Sequence, residues 1–517
     1  MQPPPQNEAR LIADLRDPRN LPGGVQEVEL LTTHISLVFR AGQSVFKVKR
    51  ERQLEFLDYG TVAARQRCCE AELRLNRRLA PDVYLAVLPV RHDEQGHSLN
   101  REGTVVDWAV HMRRLPDDRS ALALLRAQQL EHRHLDALAA RLAQFYRGLN
   151  SLPSAIVGLA LSLTENFRQT APFAALLGRS AEMRQVEASQ RAWFRDNLDR
   201  LEARRARDGH GDLRLEHVYF LDREPTVIDC VEFQDRLRIA DPALDVAFLV
   251  MDLCRHERRD LAEYFLGRFA LESDDYGLYP LIDGYASYRA LVRAKVAGLL
   301  AADPTTPGDA VTRKREEAGA LLHLSAALLQ PAPAEPGVMA VGGLIGAGKT
   351  TLAEALARRT SAVPISADAT RKSMAGLRHE EPAAPAHYGT EFTDRVHNEV
   401  LQRAELALQS GRSVILDTTF RSARLRHAAR ALAERFRARF VLAECQAPEA
   451  VLRERLRQRA GAVSDAQEEL LPRVMAEYEP VRELGADQHV RVDTTQPLAA
   501  SVTAVLQALR EPQPQPR

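Results

Sequence analysis

In the last third of this chain, apolar runs and helix-period segments take turns. Val338 to Gly343, Val363 to Ser366, Ser413 to Asp417, Phe440 to Cys445 and His489 to Asp493 are short and strand-like, and a helical pattern follows each. Such alternation predicts a parallel sheet covered on both faces, because a parallel crossover is long enough to hold a helix. The first 330 residues follow another order. Strand-like pattern dominates roughly Val25 to Val48, and long Ala/Leu/Arg helical stretches come later, at Ala121 to Leu149 and Tyr285 to Leu300. Between the two regimes Pro331-Ala332-Pro333-Ala334-Glu335-Pro336 is too stiff for helix and too short for a domain, so it predicts a linker. The expected organisation is therefore a first domain over 9–330, a linker at 331–336 and a second domain over 337–510. The Pro/Gln-rich ends, 1–8 and 511–517, are expected to be disordered. No internal repeat is visible.

Composition narrows the class. At 517 residues and 45% hydrophobic content the chain has ample core for several domains. Lys+Arg and Asp+Glu both number 70, so net charge gives no argument for a nucleic-acid or membrane surface. The five cysteines show no metal spacing, no stretch reaches 18 uncharged apolar residues, and the start lacks a leader pattern; a cytoplasmic protein is expected. No obligate protein partner is indicated. Only six of the 70 basic residues are lysine: Lys47, Lys49, Lys295, Lys314, Lys349 and Lys372. In so arginine-biased a chain a lysine is expected where a compact ammonium is required, and Lys349 and Lys47 are the two that fit. Lys49 and Lys314 read as surface residues.

The strongest chemical signal is Gly343-Leu344-Ile345-Gly346-Ala347-Gly348-Lys349-Thr350, a complete G-x-x-x-x-G-K-T loop between an apolar strand and a helical segment. Glycines let successive backbone N–H groups curl around phosphates at a helix N-terminus, and Ala347 and Thr351 belong to the same cradle. Lys349 supplies a mobile cation, and Thr350 offers its hydroxyl to Mg²⁺. Asp417, ending the strand Val414-Ile415-Leu416, is a second expected magnesium ligand; a strand-ending turn is its competing reading. ATP with Mg²⁺ is the expected cofactor pair.

A second constellation lies upstream. His210-Gly211-Asp212 is followed, 17 residues after the aspartate, by Asp229 in Val227-Ile228-Asp229-Cys230-Val231-Glu232. The pair resembles the catalytic loop and metal-binding aspartate of the protein-kinase-like fold. H-G-D, with the downstream Asp241-Pro242-Ala243-Leu244-Asp245-Val246-Ala247, is similar to the aminoglycoside phosphotransferase branch of that fold. The resemblance implies Asp212 as base, Asp229 as metal ligand and Asp245 as a brace for the loop. It places Lys47 on a strand, gripping phosphates, with a helical glutamate as its partner. Glu72 is preferred to Glu70, which lies about 200° away on the helix. Val110 to Pro116 reads equally as a hinge strand between lobes or as a plain strand exit. One departure stands out: the position five residues after the base, normally Asn, is His217, a poor ligand for a hard cation. Asp229, with Glu232 in addition, would then carry the metal, or the domain would have lost transfer.

Together these segments resemble a bacterial two-part family, an aminoglycoside-phosphotransferase-like domain fused to an ATP-binding P-loop domain. The implied fold is an α+β kinase-like domain followed by an α/β P-loop domain. Asp368 and Arg371 are similar to the D-x-x-R of polynucleotide kinases and zeta-toxin-type kinases, which implies an acceptor role for Asp368 and substrate binding for Arg371; a helix-capping Asp is the plainer reading. Arg453, Arg455, Arg457 and Arg459 resemble that class's lid, and Arg455 and Arg459 share a helical face toward the transition state. The expected activity is ATP-dependent phosphoryl transfer to a hydroxyl of a small molecule. The alternatives are a nucleotide-gated regulatory ATPase with a degenerate first domain, or a 5′-hydroxyl polynucleotide kinase.

Overall fold

The computed structural model describes the chain except residues 1–5, 25, 55–56, 222–223, 304–305, 331–334, 379–380, 459–467 and 511–517. The core of the expected linker, the C-terminal tail and Arg459 therefore lie outside the described residues. Two compact units are present: residues 1–257 with 283–329, and residues 258–282 with 330–517.

In the first unit α1 (Gln6–Leu15) precedes β1 (Glu29–Thr32), β2 (Ser36–Ala41) and β3 (Ser44–Lys49). Gln6 to Glu8, assigned by composition to a disordered end, are helical; Glu8 is held there by two hydrogen bonds from the Arg50 guanidinium, at 2.8 and 3.1 Å. After α2 (Val62–Asn76), β4 (Tyr84–Asp93), β5 (Gly96–Ser98) and β6 (Thr104–Arg113) complete an antiparallel sheet of order β1-β2-β3-β6-β4-β5. Of the strands after Val48, the end of β6 falls in the strand expected from Val110, while β4 and β5 escape a pattern reading because both faces of the sheet carry buried side chains. Leu11, Leu15, Phe39, Phe46 and Val48 fill one face under α1, while Cys69, Tyr84 and Val110 pack on the other.

The helical half of this unit includes α3 (His132–Arg147), α4 (Ile156–Leu176), α5 (Ser180–Asp196) and a two-stranded ribbon of β7 (Val218–Phe220) with β8 (Pro225–Val227). The expected single stretch Ala121 to Leu149 is two helices. Gln128 takes a left-handed conformation after Arg126, and a capping box at Glu131 and His134 starts α3 afresh. The buried helix α6 (Pro242–Arg255) follows, capped by Asp241, whose side chain accepts from the Ala243 N–H.

In the second unit α7 (Arg259–Ser273) comes from the earlier part of the sequence. Next in order are α8 (Tyr279–Ala302) and α9 (Gly308–Ala327), most of which belong to the first unit. The P-loop sheet is built from β9 (Gly337–Gly343), β10 (Val363–Ser366), β11 (Val414–Asp417), β12 (Arg439–Gln446) and β13 (His489–Asp493). Its order is β10-β11-β9-β12-β13, and every pairing is parallel. Helices α10 (Lys349–Thr360), α11 (Ala367–Met374), α12 (Thr390–Gln409), α13 (Ala423–Arg435) and α14 (Glu449–Gln458) lie in the crossovers, and α15 (Leu498–Arg510) follows the last strand. All seven residues of β9 are buried, as a strand covered on both faces requires. Leu352 and Leu356 of α10, Leu452 of α14 and Val505 of α15 close one face against Met339, Val341 and Val441.

Candidate functional site

Each unit contains a cavity, and sequence-derived residues gather around both. In the first unit Lys47 and Lys49 sit two apart on β3 and so point to the same face, toward α2. Lys47 Nζ donates to Glu72 Oε1 at 2.9 Å and to Asp229 Oδ1 at 2.7 Å. Glu72 is fully buried, whereas Glu70 is exposed and accepts from Gln66 on the same helix. Lys49 corrects the reading of it as a surface residue. Its side chain is 1% exposed, and it donates to Glu72 Oε2 at 2.6 Å and to Glu232. Glu232 also accepts from Tyr59, so this carboxylate belongs to the lysine network rather than to a metal. Lys314, by contrast, pairs with Glu317 at the surface.

The loop carrying Asp212 is fixed from behind by Asp245 on α6. The Asp245 carboxylate accepts from the His210 and Gly211 N–H groups at 2.6 and 2.7 Å and from the Tyr146 hydroxyl at 3.1 Å. A Cβ on Gly209 would stand 2.2 Å from Asp245 Oδ2, so only glycine admits this approach. Asp212 accepts from Arg214 Nε at 3.0 Å. Burial raises its pKa, but Arg214 and His217 outweigh burial and hold the carboxyl below its ordinary range. Asp229 occupies the left-handed region at φ 65°, uncommon for a non-glycine residue and typical of strain kept at a working site. Burial acts upward on Asp229 as well, yet Lys47 and His217 hold it well below the carboxylate range.

His217 stands between the two aspartates. Its Nδ1 lies 2.9 Å from the Asp212 carbonyl oxygen, and its Nε2 lies 3.4 Å from Asp229 Oδ2. Burial, reinforced by Arg214, lowers the ring to about 4 and keeps it neutral. Ligand atoms of Asp212, His217 and Asp229 all fall within 4.8 Å of one another. The carboxylate oxygens suit a hard cation such as Mg²⁺, and the imidazole nitrogen does not. The surrounding cavity, about 430 Å³, takes in Lys47, Asp212 and Asp229. Strand β6, including Met112, ends at Arg113 and leads through a turn at Asp117–Arg119 into the helical half.

In the second unit the G-x-x-x-x-G-K-T loop joins β9 to α10, with Gly343, Gly346 and Gly348 all at positive φ. At Gly343 a Cβ would meet the Cys445 carbonyl oxygen at 2.3 Å. Ala347 is buried under the loop, and Thr351 opens the exposed side of α10. Lys349 Nζ donates to the Leu344 carbonyl at 2.8 Å, across the mouth of the loop. Thr350 Oγ1 donates to Asp417 Oδ2 at 2.7 Å, placing a hydroxyl and a carboxylate oxygen together in a donor set that fits Mg²⁺. Burial raises Asp417, partly offset by Lys349. A cavity of about 270 Å³ joins Lys349, Thr350 and Asp417 to Asp368 and Arg371. Ser366, rather than Asp368, caps α11, its side chain accepting from the Ala369 N–H.

Arg455 does not line this cavity. Its guanidinium donates to Thr494 Oγ1 and the Thr494 carbonyl at 2.9 and 2.8 Å and reaches the Gly346 carbonyl at 3.5 Å, so it ties α14 to the loop's backbone. Arg453 and Arg457 both pair with Glu468. The arginines at the cavity are instead Arg371, Arg421 and Arg473, the last two sharing Glu477. Composition hides Arg421 and Arg473 because arginine is common everywhere in this chain. The lysines were the better signal: Lys47, Lys49, Lys295 and Lys349 line the two cavities, and Lys372 is buried 3.8 Å from Asp368.

Comparison with known proteins finds matches in both parts of the chain. Residues 61–291 match the model of the phosphotransferase enzyme family, and residues 338–481 match that of an AAA domain. An uncharacterized protein of Mycobacterium tuberculosis and one of Mycobacterium bovis are each 33% identical over 491 residues, covering 92% of this chain and 94% of the relative. Among solved structures, a gluconokinase from Sinorhizobium meliloti 1021 is 25% identical, covering 34% of this chain and 91% of its own, with a TM-score of 0.25. The GDP complex of aminoglycoside 2′-phosphotransferase-IIIa is 17% identical, covering 62% of this chain and 97% of its own, with a TM-score of 0.39.

Proposed function

This chain belongs to the two-part family of its mycobacterial relatives, a phosphotransferase-family domain followed by a kinase-like P-loop domain, and from that premise we propose that both units are ATP-dependent phosphotransferases acting on hydroxyl groups of small molecules. One observation carries the reading. Each unit gathers around a single cavity a lysine suited to phosphates, a carboxylate suited to a metal and a second carboxylate lining the same cavity. ATP with Mg²⁺ would supply the transferable phosphoryl group and neutralise the charge on its oxygens.

In the first unit Lys47, oriented by Glu72, is the phosphate-binding cation, and Asp229 is the residue to hold the metal. Asp212 accepts the acceptor's proton at a carboxylate oxygen; its depressed pKa keeps it ionised at neutral pH, and Asp245 holds its loop still. In the second unit Lys349 and the loop amides bind the phosphates, Thr350 and Asp417 hold the metal, and Asp368 faces the acceptor beside Arg371. Arg455 acts by positioning the loop. Phosphoryl transfer needs alignment and charge neutralisation more than covalent help from the protein, and these side chains supply both.

A second reading follows from His217, whose ring occupies the place beside Asp229 where an oxygen ligand is expected; it makes the first unit a nucleotide-responsive regulator of the second. ATP turnover by wild type, Lys349→Ala, Asp212→Ala and the double variant, each with sugars, sugar derivatives, nucleosides and 5′-hydroxyl oligonucleotides, separates the two. Two transferases predict that each single variant loses transfer to one acceptor class by about 100-fold or more and leaves the other intact. If Lys349→Ala abolishes all turnover and Asp212→Ala changes none, the first unit is not a transferase.

A further inference from the structure

The cavity of the first unit has two ends of different electrostatic character. At the nucleotide end the cations are neutralised: Lys47 by Glu72 and Asp229, Lys49 by Glu72 and Glu232. At the other end α8 presents Arg289, Val292, Arg293 and Val296, spaced by three, four and seven residues and so on one helical face, with Lys295 beside them. Arg236 also reaches this end, but Glu165 engages it through two hydrogen bonds at 3.0 and 2.8 Å.

Arg293 has no such partner. Its Nε is buried without a hydrogen bond, and among the described residues no carboxylate forms an ion pair with it. The carboxylates whose fields reach it are Asp212, Asp252 and Glu317, and each is already engaged. Asp212 accepts from Arg214, Asp252 accepts from the Leu215 N–H, and Glu317 takes Arg255 at 2.8 Å and Lys314 at 2.6 Å. Burial, with Arg214 nearby, pulls Arg293 below the ordinary arginine range, as expected of a cation lacking its counter-ion. Arg289 is only partly satisfied. It is 3% exposed and stacked 4.1 Å over Phe248; its Nε donates to the Leu244 carbonyl at 3.1 Å, while its Nη2 makes no hydrogen bond and pairs only at 3.7 Å with Asp245 Oδ1, a carboxylate already taken by the loop N–H groups. Lys295 donates to the Gln169 side chain at 3.0 Å. A buried guanidinium left without a hydrogen-bonded anion is costly, and it persists where a ligand completes it. Arg293 lines the same cavity as Asp212, and Asp212 and Arg214 are among the charges that act on it, so an anion completing Arg293 would lie near the base.

We propose that this end of the cavity is an oxyanion subsite, in which Arg293, with Arg289 and Lys295, binds the phosphate or carboxylate of a small hydroxylated acceptor and presents a hydroxyl of that molecule to Asp212. The proposal rests on the first unit being a phosphotransferase. The acceptor oxygen forms a bond to the γ-phosphorus of ATP, the bond from that phosphorus to the β–γ bridging oxygen breaks, ADP leaves, and the hydroxyl proton passes to Asp212. A polycation such as an aminoglycoside is disfavoured here, because its ammonium groups would meet Arg293, Arg289 and Lys295 at short range. Val292, Val296 and Phe248 give the subsite apolar walls suited to a sugar-sized body.

The test uses the full chain carrying Lys349→Ala, so that transfer by the second unit does not mask the first. Equilibrium dialysis with labelled hexose phosphates, aldonates and kanamycin measures binding, and phosphoryl transfer to the same compounds measures chemistry. Retention of a hexose phosphate or an aldonate is expected, and which of the two is held decides between phosphate and carboxylate. Adding Arg293→Gln should weaken that binding about tenfold or more, Arg293→Lys should recover part of it, and ATP affinity should stay within about twofold. Arg293→Lys also guards against misfolding, since it keeps both charge and stem. Equal retention by Arg293→Gln, no retention of either anion class, or phosphorylation of kanamycin instead would overturn the subsite. If anions bind through Arg293 but are never phosphorylated in an Asp212-dependent way, the phosphotransferase reading of this unit fails while the oxyanion subsite stands.

Discussion

At the scale of single residues, the lysines divide by what surrounds them. Lys49 departs from the surface expectation because a strand's alternation gives the face of a side chain but not whether that face is covered. The helix α2 covers it, and Glu72 and Glu232 then make the charge tolerable. Removing one member of such a buried set leaves its partners' charges uncompensated, so Lys49→Met is expected to destabilise the first unit by about 3–5 kcal/mol. Lys314→Met, at the surface, should cost less than about 0.5 kcal/mol. Chemical denaturation followed by tryptophan fluorescence tests the pair, since Trp108 and Trp193 both lie in that unit. Equal midpoints for the two variants would contradict the network.

His397 makes a pH-dependent case in the second unit. Burial, together with Arg371, lowers its ring to about 4. A histidine whose folded pKa lies below its unfolded value of about 6.5 binds its proton more readily when the chain unfolds. Its contribution is therefore complete above pH 6.5 and is lost as the pH falls toward 4, reaching at most about 3 kcal/mol. Thermal melts at pH 7.5 and pH 5.0 should show a smaller loss on acidification for His397→Gln than for wild type. An unchanged loss would mean that other groups set the acid sensitivity.

At the scale of elements, chemistry depends on short segments that other elements hold in place. The Asp212 loop is the clearest, since two of its N–H groups end on one carboxylate from α6. Asp245→Ala strands those buried donors and the Tyr146 hydroxyl, at about 1–3 kcal/mol each, and should abolish Asp212-dependent transfer while leaving Lys349-dependent turnover intact. Asp245→Asn, which keeps one acceptor oxygen, should fall between. Loss of both activities together would show a general folding defect instead. The brace was legible from the Asp241 to Ala247 segment once its resemblance was seen. The antiparallel strand β4 and its pairing with β6 were not, because that pairing is not recorded in either strand's local pattern, although the end of β6 falls in the strand expected from Val110. On the P-loop side all five strands were visible beforehand, each being a short apolar run flanked by its own crossover helix.

At the scale of the whole chain, sequence order and spatial grouping part company. Residues 258–282, which precede the proline-rich stretch, belong to the second compact unit. Glu263 of α7 takes two hydrogen bonds from the buried Arg412, at 2.6 and 3.0 Å. Asp274 pairs with the buried Arg403 at 2.7 Å, and the Tyr276 hydroxyl donates to the Pro364 carbonyl on the edge strand β10 at 3.0 Å. A fragment of residues 337–510 lacks these partners and should lose about 3–5 kcal/mol of stability against the same unit in the full chain. Hydrogen exchange at Val363–Ser366 is the direct check, and equal protection in fragment and full chain would show that α7 is dispensable. The sequence by itself determined the phosphate loop, the parallel order of strand and helix, and the spacing of Asp212 and Asp229, because each depends on neighbours within one turn, one strand or one crossover. Only the tertiary structure decided that Lys49 is buried, that Arg455 holds a loop instead of facing the cavity, and that Arg293 makes no ion pair among the described residues. Burial and charge compensation are set by elements distant in sequence, and no local pattern records which of them meet.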